Sequence, residues 1–297
     1  VIKLSDVFIK NVTATYGQPG IAWLDQLSNQ LDKLATLWDF KLLQPVTNLS
    51  YNFVAEVELP SGLAILKVAP PSAKLMSEAE WLINHKNCVP VVLQTDKINN
   101  AFLMEKLSPG SSLKSLVKAG SDEEATQVIA QLILDIQTNH VSHQINYQHI
   151  SEHIPALTLL RGHLDANILE QGIAIFSQLC ADRSQDVILH GDLHHDNILR
   201  SDNTWKVIDP HGYVGHPCAE VGPMMFNPLG EDFPHSELLR NIIEKRLRIL
   251  DEILPFELSL IRAWCFCLAL RSAAWDVEGF GVPSQHSLEV AKVLFDE

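Results

Sequence analysis

Positive charge is scarce in this chain: 22 Lys and Arg face 36 Asp and Glu across 297 residues, a formal net charge of −14. That balance disfavours a general grip on nucleic-acid phosphates, which needs clustered cations to release counterions. It suits a cationic ligand better. Cysteine is sparse as well. Cys88, Cys180, Cys218, Cys265 and Cys267 are odd in number and scattered, with no C-x-x-C, a pattern of reduced, buried thiols rather than a disulfide framework or a zinc site. Long apolar runs are missing: the longest, "AWCFCLAL" from Ala263, is closed by Arg262 and Arg271, short of the roughly 20 residues of a membrane span. The opening residues show no basic segment followed by an apolar core and a small-residue cleavage site. A cytoplasmic chain with no membrane partner is therefore the expectation. Oligomeric state has no signal in the sequence.

What is present begins with size. A 297-residue chain that is 46% hydrophobic exceeds the length at which single cores usually divide, so two lobes are expected, over 1–107 and 108–297. In the first, Ile21, Leu24, Leu27, Leu31 and Leu34 recur at helical spacing from Gly20 to Leu37. The stretches "FKLLQPV", "YNFVAEVEL" and "LAILKVA" then read as strands, the last two joined through Pro60-Ser61-Gly62 as a hairpin. A helix near Ser72 to His85 and strands near "VPVVLQT" and "NAFLMEKL" complete a small antiparallel sheet with one inserted helix. After "SPGSS" the pattern turns helical, with helices expected around Ser121 to Ile136, Ile154 to Leu164, Asn167 to Cys180, Ser236 to Leu254 and Glu257 to Trp275. One exception is the pair "NILR" and "WKVID" around Ser201-Asp202-Asn203, a hairpin that brings Asn197 and Asp209 together.

That hairpin sits inside two motifs, "HGDLHHDNIL" from His190 and "VIDPHG" from Val207. Phosphoryl transfer needs a carboxylate to take a proton from the attacking hydroxyl and oxygen ligands to hold Mg²⁺ on the nucleotide phosphates. Asp192-x4-Asn197 matches the Asp and Asn spacing of a kinase catalytic loop, and Asp209 follows the next strand where a second metal ligand belongs. His190, opening the loop, is grouped with Asp192 as catalytic. Lys67 stands late in a strand resembling the V-A-I-K strand whose Lys holds nucleotide phosphates. Its carboxylate partner is expected from "SEAEWL", where Glu78 and Glu80 point from different helix faces; Glu78 is assigned to Lys67 and Glu80 to solvent. Met104, Glu105, Lys106 and Leu107, in "FLMEKLSPGSSL", fall where an interlobe hinge would offer backbone groups to adenine.

Together these stretches resemble the aminoglycoside phosphotransferase-type kinases, and most of all the streptomycin 6-kinase and hydroxyurea phosphotransferase branch. The paired motifs "HGDLHHDNIL" and "VIDPHGYVGHPCAEVG", the early "WLDQLSNQL" and "LWDFKL", and the late "RSAAWDVEGFG" carry the likeness over nearly the whole chain. The resemblance implies an α+β, protein-kinase-like bilobal fold that uses ATP and Mg²⁺. It implies Asp192 as catalytic base, Asn197 and Asp209 as Mg²⁺ ligands, Lys67 on the ATP phosphates, and Glu220 as a brace of the catalytic loop. Two departures stand out. The loop expected over the phosphates, with Ser50, Tyr51 and Asn52, contains no glycine, and His211 stands where such kinases often carry Lys.

The implied partner is a small molecule bearing a hydroxyl, of aminoglycoside type and cationic. Glu231, Asp232, Asp276 and Glu278 are its candidate carboxylates and Trp275 its stacking surface. Three other readings remain open on the residues, of which a protein kinase is disfavoured because the short distance from Asp209 to Glu220 leaves little room for an activation loop that docks a peptide. A nucleotide-binding scaffold without transfer fits the glycine-poor loop. A binuclear metallophosphatase would use His190, Asp192, His194, His195 and Asp209 as ligands.

Overall fold

The computed structural model describes residues 4–47, 49–137, 147–228 and 237–295. The chain divides into two compact units, Val1–Gly110 and Ser111–Glu297. It has a bilobal α+β architecture, with a small antiparallel-sheet lobe containing an inserted helix and a larger helical lobe.

The first unit opens with α1 (Asp6–Trp38), capped by Ser5, whose Oγ accepts from the Phe8 N–H at 3.2 Å. Gly17-Gln18-Pro19-Gly20 interrupts this helix without ending it. In the structure it only kinks the helix, at Gly17 (φ 58°, ψ −138°), so α1 begins 14 residues earlier than its apolar spacing suggested. Phe8, Val12, Trp23, Leu27, Leu31 and Leu34 are buried along it and share one core with the sheet. That sheet comprises β1 (Lys41–Pro45), β2 (Phe53–Leu59), β3 (Gly62–Val68), β4 (Val92–Asp96) and β5 (Ala101–Glu105), with α2 (Leu75–Asn84) inserted after β3. The order is β1-β2-β3-β5-β4, antiparallel throughout. Leu59 pairs with Gly62, so Pro60 and Ser61 form the two-residue turn.

β6 (Pro109–Ser112) runs across this division, and the second unit goes on with α3 (Lys114–Lys118), α4 (Asp122–Gln137), β7 (Gln148–His149), β8 (Val187–Leu189), β9 (Ile198–Ser201), β10 (Thr204–Val207) and β11 (Tyr213–Gly215). Its remaining helices are α5 (Ala166–Leu179), α6 (Gly222–Met225), α7 (Glu237–Ile253), α8 (Leu258–Phe280) and α9 (Gln285–Phe295). The helix expected over Ile154 to Leu164 is a 3₁₀ stretch, Ile150–Leu160, carrying Pro155, which cannot donate to an α-helical ladder. β9 and β10 form the expected hairpin, with Asp202 at φ 50° in its turn. A small sheet ordered β7-β11-β8 was not expected. α8 is long and apolar enough, by length and composition, to cross a membrane. In the fold it is a core helix, with Trp264, Cys265, Phe266 and Cys267 among its buried residues. All five cysteines are buried, and none is in a disulfide among the described residues.

One buried cation ties several of these elements together. Arg246 of α7 is fully buried. Its guanidinium reaches both Asp122 carboxylate oxygens (3.0 and 2.5 Å) at the start of α4, and the carbonyls of Met224 (2.5 Å) and Asn227 (2.7 Å). Removing one partner of a buried charge pair leaves the other uncompensated. Arg246→Ala is expected to destabilise the protein by about 3–5 kcal/mol, read as a shifted midpoint in urea unfolding. A loss below about 1 kcal/mol, the range of exposed ion pairs, would show that the clamp is not structural.

Candidate active site

β8 ends at Leu189, and the chain turns at once through His190, Gly191 and Asp192. The turn is held from behind. Glu220, almost fully buried, accepts the backbone N–H groups of His190 and, at 3.2 Å, Gly191. His190 returns the favour through its carbonyl, which accepts from His211 N–H (2.9 Å) and Gly212 N–H (3.1 Å). Its buried ring accepts the Asp192 N–H at Nδ1 (3.3 Å) and faces the Ile208 carbonyl with Nε2 (2.9 Å). That fixes a neutral tautomer, and burial pushes its pKa down to about 4. His190, grouped above with Asp192 as catalytic, is placed inside the fold with its ring against backbone groups of Asp192 and Ile208.

Asp192 is reached from the other side by Asn197, whose Nδ2 donates to the Asp192 carbonyl (3.0 Å) and to Oδ2 (3.1 Å). His194 Nε2 lies 3.5 Å and His211 Nε2 3.9 Å from the same oxygen. Burial pushes the Asp192 carboxyl up, yet the imidazoles of His194, His211 and His190 outweigh it and hold the group below the usual carboxylate range. For His194 the balance reverses: burial pushes it down, and the Asp192, Asp196 and Asp209 carboxylates hold it up. His195 points into the interior, fully buried. The hairpin register sets Val207 opposite Ile198, and the Ile208 N–H donates to the Asn197 carbonyl (2.9 Å), which brings the Asp209 segment beside Asn197.

These residues fit a magnesium ion. Because Asn197 gives its amide nitrogen to Asp192, its Oδ1 is turned away from that carboxylate, and Asp209 adds a second hard oxygen donor, the type Mg²⁺ prefers. Among the described residues no group of three or more His, Cys, Asp or Glu side chains is arranged to hold a metal ion. The binuclear metallophosphatase reading therefore lacks its ligand cluster.

In the first unit Lys67 Nζ lies 2.7 Å from Glu78 Oε1, both side chains buried. Glu80 pairs instead with Lys97 at 3.0 Å on the surface. Ser50, Tyr51 and Asn52 belong to the β1–β2 loop, which the Val46 N–H closes on the Val54 carbonyl (2.9 Å). The four residues assigned to the hinge straddle the end of a strand. Met104 and Glu105 lie in β5, between β3 and β4, and the Glu105 N–H is given to the Val91 carbonyl (2.8 Å). Only Lys106 and Leu107 follow the strand, and the Lys106 side chain is tied to Glu56 (2.7 Å).

Beside Asp192 the second unit holds a cavity of about 380 Å³, lined by His153, Tyr213 and Phe226 and by Arg271, Trp275 and Asp276 of α8. Trp275 and Asp276 thus reach the cavity with Asp192. Glu278 does not line it; its Oε2 accepts from Arg271 Nη1 at 3.3 Å. Trp275, an exposed residue, carries the Arg271 guanidinium 4.5 Å over its ring and stacks on His211 at 5.8 Å. Glu231 and Asp232 lie outside the described residues. Arg271, Lys114 and Tyr213 were not anticipated as cavity residues.

Burial raises the Glu220 pKa to about 7, against the two N–H donors that favour its carboxylate. Its folded pKa stands above the unfolded value, so the native state binds the proton better between pH 4.5 and 7. Its contribution to stability is greatest below that window and falls as pH rises through it. In a Glu220→Gln variant this slope is expected to vanish, as checked by urea unfolding from acid to neutral pH; an identical pH dependence in both proteins would exclude the assignment.

Comparison with known proteins agrees with this geometry. The family model described as aminoglycoside/hydroxyurea antibiotic resistance kinase matches residues 44–279. A streptomycin 3''-kinase from Klebsiella pneumoniae is 29% identical over 179 residues, covering 60% of this chain and 66% of that enzyme, about two thirds of its length. A streptomycin 6-kinase from Streptomyces griseus is 23% identical over 306 residues, covering 99% of this chain and 97% of that enzyme. Among solved structures, an amicoumacin kinase in complex with AMP-PNP, Ca²⁺ and its antibiotic has the same fold, with a TM-score of 0.60 at 14% identity, covering 92% and 95% of the two chains. With more than half its length matched by one family model, and with that model's span containing Lys67, Asp192, Asn197 and Asp209, the chain belongs to the aminoglycoside/hydroxyurea antibiotic resistance kinase family.

Proposed function

We propose that the protein transfers the γ-phosphoryl group of ATP to a hydroxyl of a small molecule, an aminoglycoside such as streptomycin or a related compound. The observation that carries this reading is the Asp192 carboxylate, ionised and oriented by Asn197, on the wall of a cavity of about 380 Å³. In the reaction the acceptor O–H gives its proton to Asp192 as its oxygen bonds to the γ-phosphorus, and the bond from phosphorus to the bridging oxygen of ADP breaks. Lys67, held by Glu78, is the cation for the nucleotide phosphates. Asn197 and Asp209 would hold Mg²⁺, which when bound neutralises charge on those phosphates. Among the described residues, chemistry-bearing groups in the cavity lie next to Asp192, which favours transfer over a purely scaffolding role.

Asp192→Asn is expected to lower kcat roughly 10²- to 10⁴-fold with little change in unfolding midpoint. An ATP-consumption screen against streptomycin, other aminoglycosides, hydroxyurea, amino sugars and small alcohols supplies the acceptor for that measurement. Turnover unaltered in a folded Asp192→Asn protein would remove Asp192 from the mechanism, and Mg-ATP binding without turnover of any acceptor would favour the scaffold.

Asp209→Asn is expected to weaken Mg-ATP binding while leaving adenosine binding unchanged, because adenosine brings neither phosphates nor their metal. Paired titrations with the two ligands separate these effects. Equal weakening of both would point to a collapsed site rather than a lost metal ligand.

A further inference from the structure

The first unit holds a second cavity, of about 510 Å³, against the kinked helix α1. None of its lining residues belongs to the Lys67–Glu78 pair or to the loop of Asp192. One wall is a single face of α1, where Pro19, Trp23, Gln26, Gln30 and Lys33 follow at helical spacing. The other is Pro71 with Ile98 and Asn99 of the β4–β5 turn. Gln30 ties the two walls together, accepting from Trp23 Nε1 (2.9 Å) and donating to the Asn99 carbonyl (2.5 Å).

Polarity changes along the α1 wall. Pro19, Ala22 and Trp23 make the end nearer the kink apolar, amides follow, and Lys33 closes the far end. Trp23 and Lys33 are ten residues apart, so their backbones are separated by about 15 Å along the helix, and the lysine side chain leans back toward the amides. Gln26 accepts from Asn29 Nδ2 through its Oε1 (3.1 Å), which leaves the Gln26 amide hydrogens as unspent donors among the described residues. The Lys33 ammonium likewise has no partner among the described residues, and it is the one ionisable group in the lining. In a chain of net charge −14, a cavity lined by a cation and no acid is an exception. Ile98, 94% exposed, offers apolar surface that an occupant would cover.

We propose that this cavity is a binding site for an elongated organic acid, with its apolar end by Pro19 and Trp23 and its carboxylate at Lys33. One ammonium matches a singly charged carboxylate through a charge-assisted hydrogen bond, whereas a phosphate dianion would leave a charge uncompensated. Gln26, between the two ends, donates to a polar atom along the ligand. The site depends on no step of the transfer reaction.

Calorimetric titration of the full chain at low ionic strength with phenylhexanoate, its neutral amide and benzoate tests this. The acid is expected to bind about fivefold more tightly than the amide, the upper range for an ion pair at an exposed lysine. Lys33→Gln should remove that difference, and Lys33→Arg should keep it. Benzoate has the ring and the charge but cannot reach both ends, and should bind roughly tenfold more weakly than phenylhexanoate. Ala22→Trp, which sets a large side chain in the cavity from an exposed position on α1, should abolish binding of acid and amide alike with an unchanged urea midpoint. Saturating Mg-ATP should leave phenylhexanoate binding intact. The proposal is overturned if wild-type protein binds neither acid nor amide at millimolar concentration, binds them equally, or keeps its preference in Lys33→Gln. Displacement of the acid by Mg-ATP, or wild-type affinity in a folded Ala22→Trp protein, would place the acid elsewhere and overturn it too. Benzoate binding as tightly as phenylhexanoate overturns the elongated shape.

Discussion

The catalytic loop depends on one buried carboxylate accepting two backbone N–H groups. Glu220 lies almost wholly out of water, where an ionised group is costly unless it is fully hydrogen-bonded. Its donors are the amides of His190 and Gly191, so the interaction fixes the chain just before Asp192. Gly191 is required there on two counts. Its φ is 80°, and a Cβ at that position would come within 2.4 Å of the Tyr213 ring. The same turn presents the His190 carbonyl to the amides of His211 and Gly212, so the loop carrying Asp192 and the loop following Asp209 are bound edge to edge. Asp192, the proposed proton acceptor, and the proposed metal ligands therefore share a single backbone framework.

Much of this was legible in the sequence because short-range rules govern it. Two-residue turns at Pro60-Ser61 and Asp202-Asn203 fix the hairpins, and the second hairpin converts the spacing between Asn197 and Asp209 into adjacency. Helical periodicity separated Glu78 from Glu80, since residues two apart on a helix face different ways. That same rule separates Asp276 from Glu278, which the compact stretch "WDVEG" had suggested as a pair. β7, β8 and β11 escaped because strands of two or three residues are too short to show a period. Met104 and Glu105 fell in the strand because β5 is flanked on both sides, a property of the sheet order that no local pattern encodes. Arg271 was noticed only as the end of an apolar run, since its contacts with Trp275 and Glu278 appear once the helix is wound.

The overall charge of −14 describes the surface of this chain better than its cavity. Around Asp192 most carboxylates have cationic or imidazole neighbours, so an excess of acid in the composition does not become a strongly anionic pocket. Composition counts charges, whereas recognition depends on which of them are unmatched at close range.

That helix combines two tasks that are usually in tension. From Ile261 to Leu270, α8 is a buried core helix, packed closely enough that a Cβ on Gly222 would meet Leu268 Cδ1 at 2.3 Å. Its next turns, with Arg271, Trp275 and Asp276, line the cavity. A helix anchored in this way presents side chains with less positional freedom than a loop would, the precision that acceptor recognition beside a fixed carboxylate requires. The core stretch and the cavity-lining turns occupy different lengths of the same helix. Substitution in the last turns can therefore reshape the cavity wall without disturbing the packing of the core stretch.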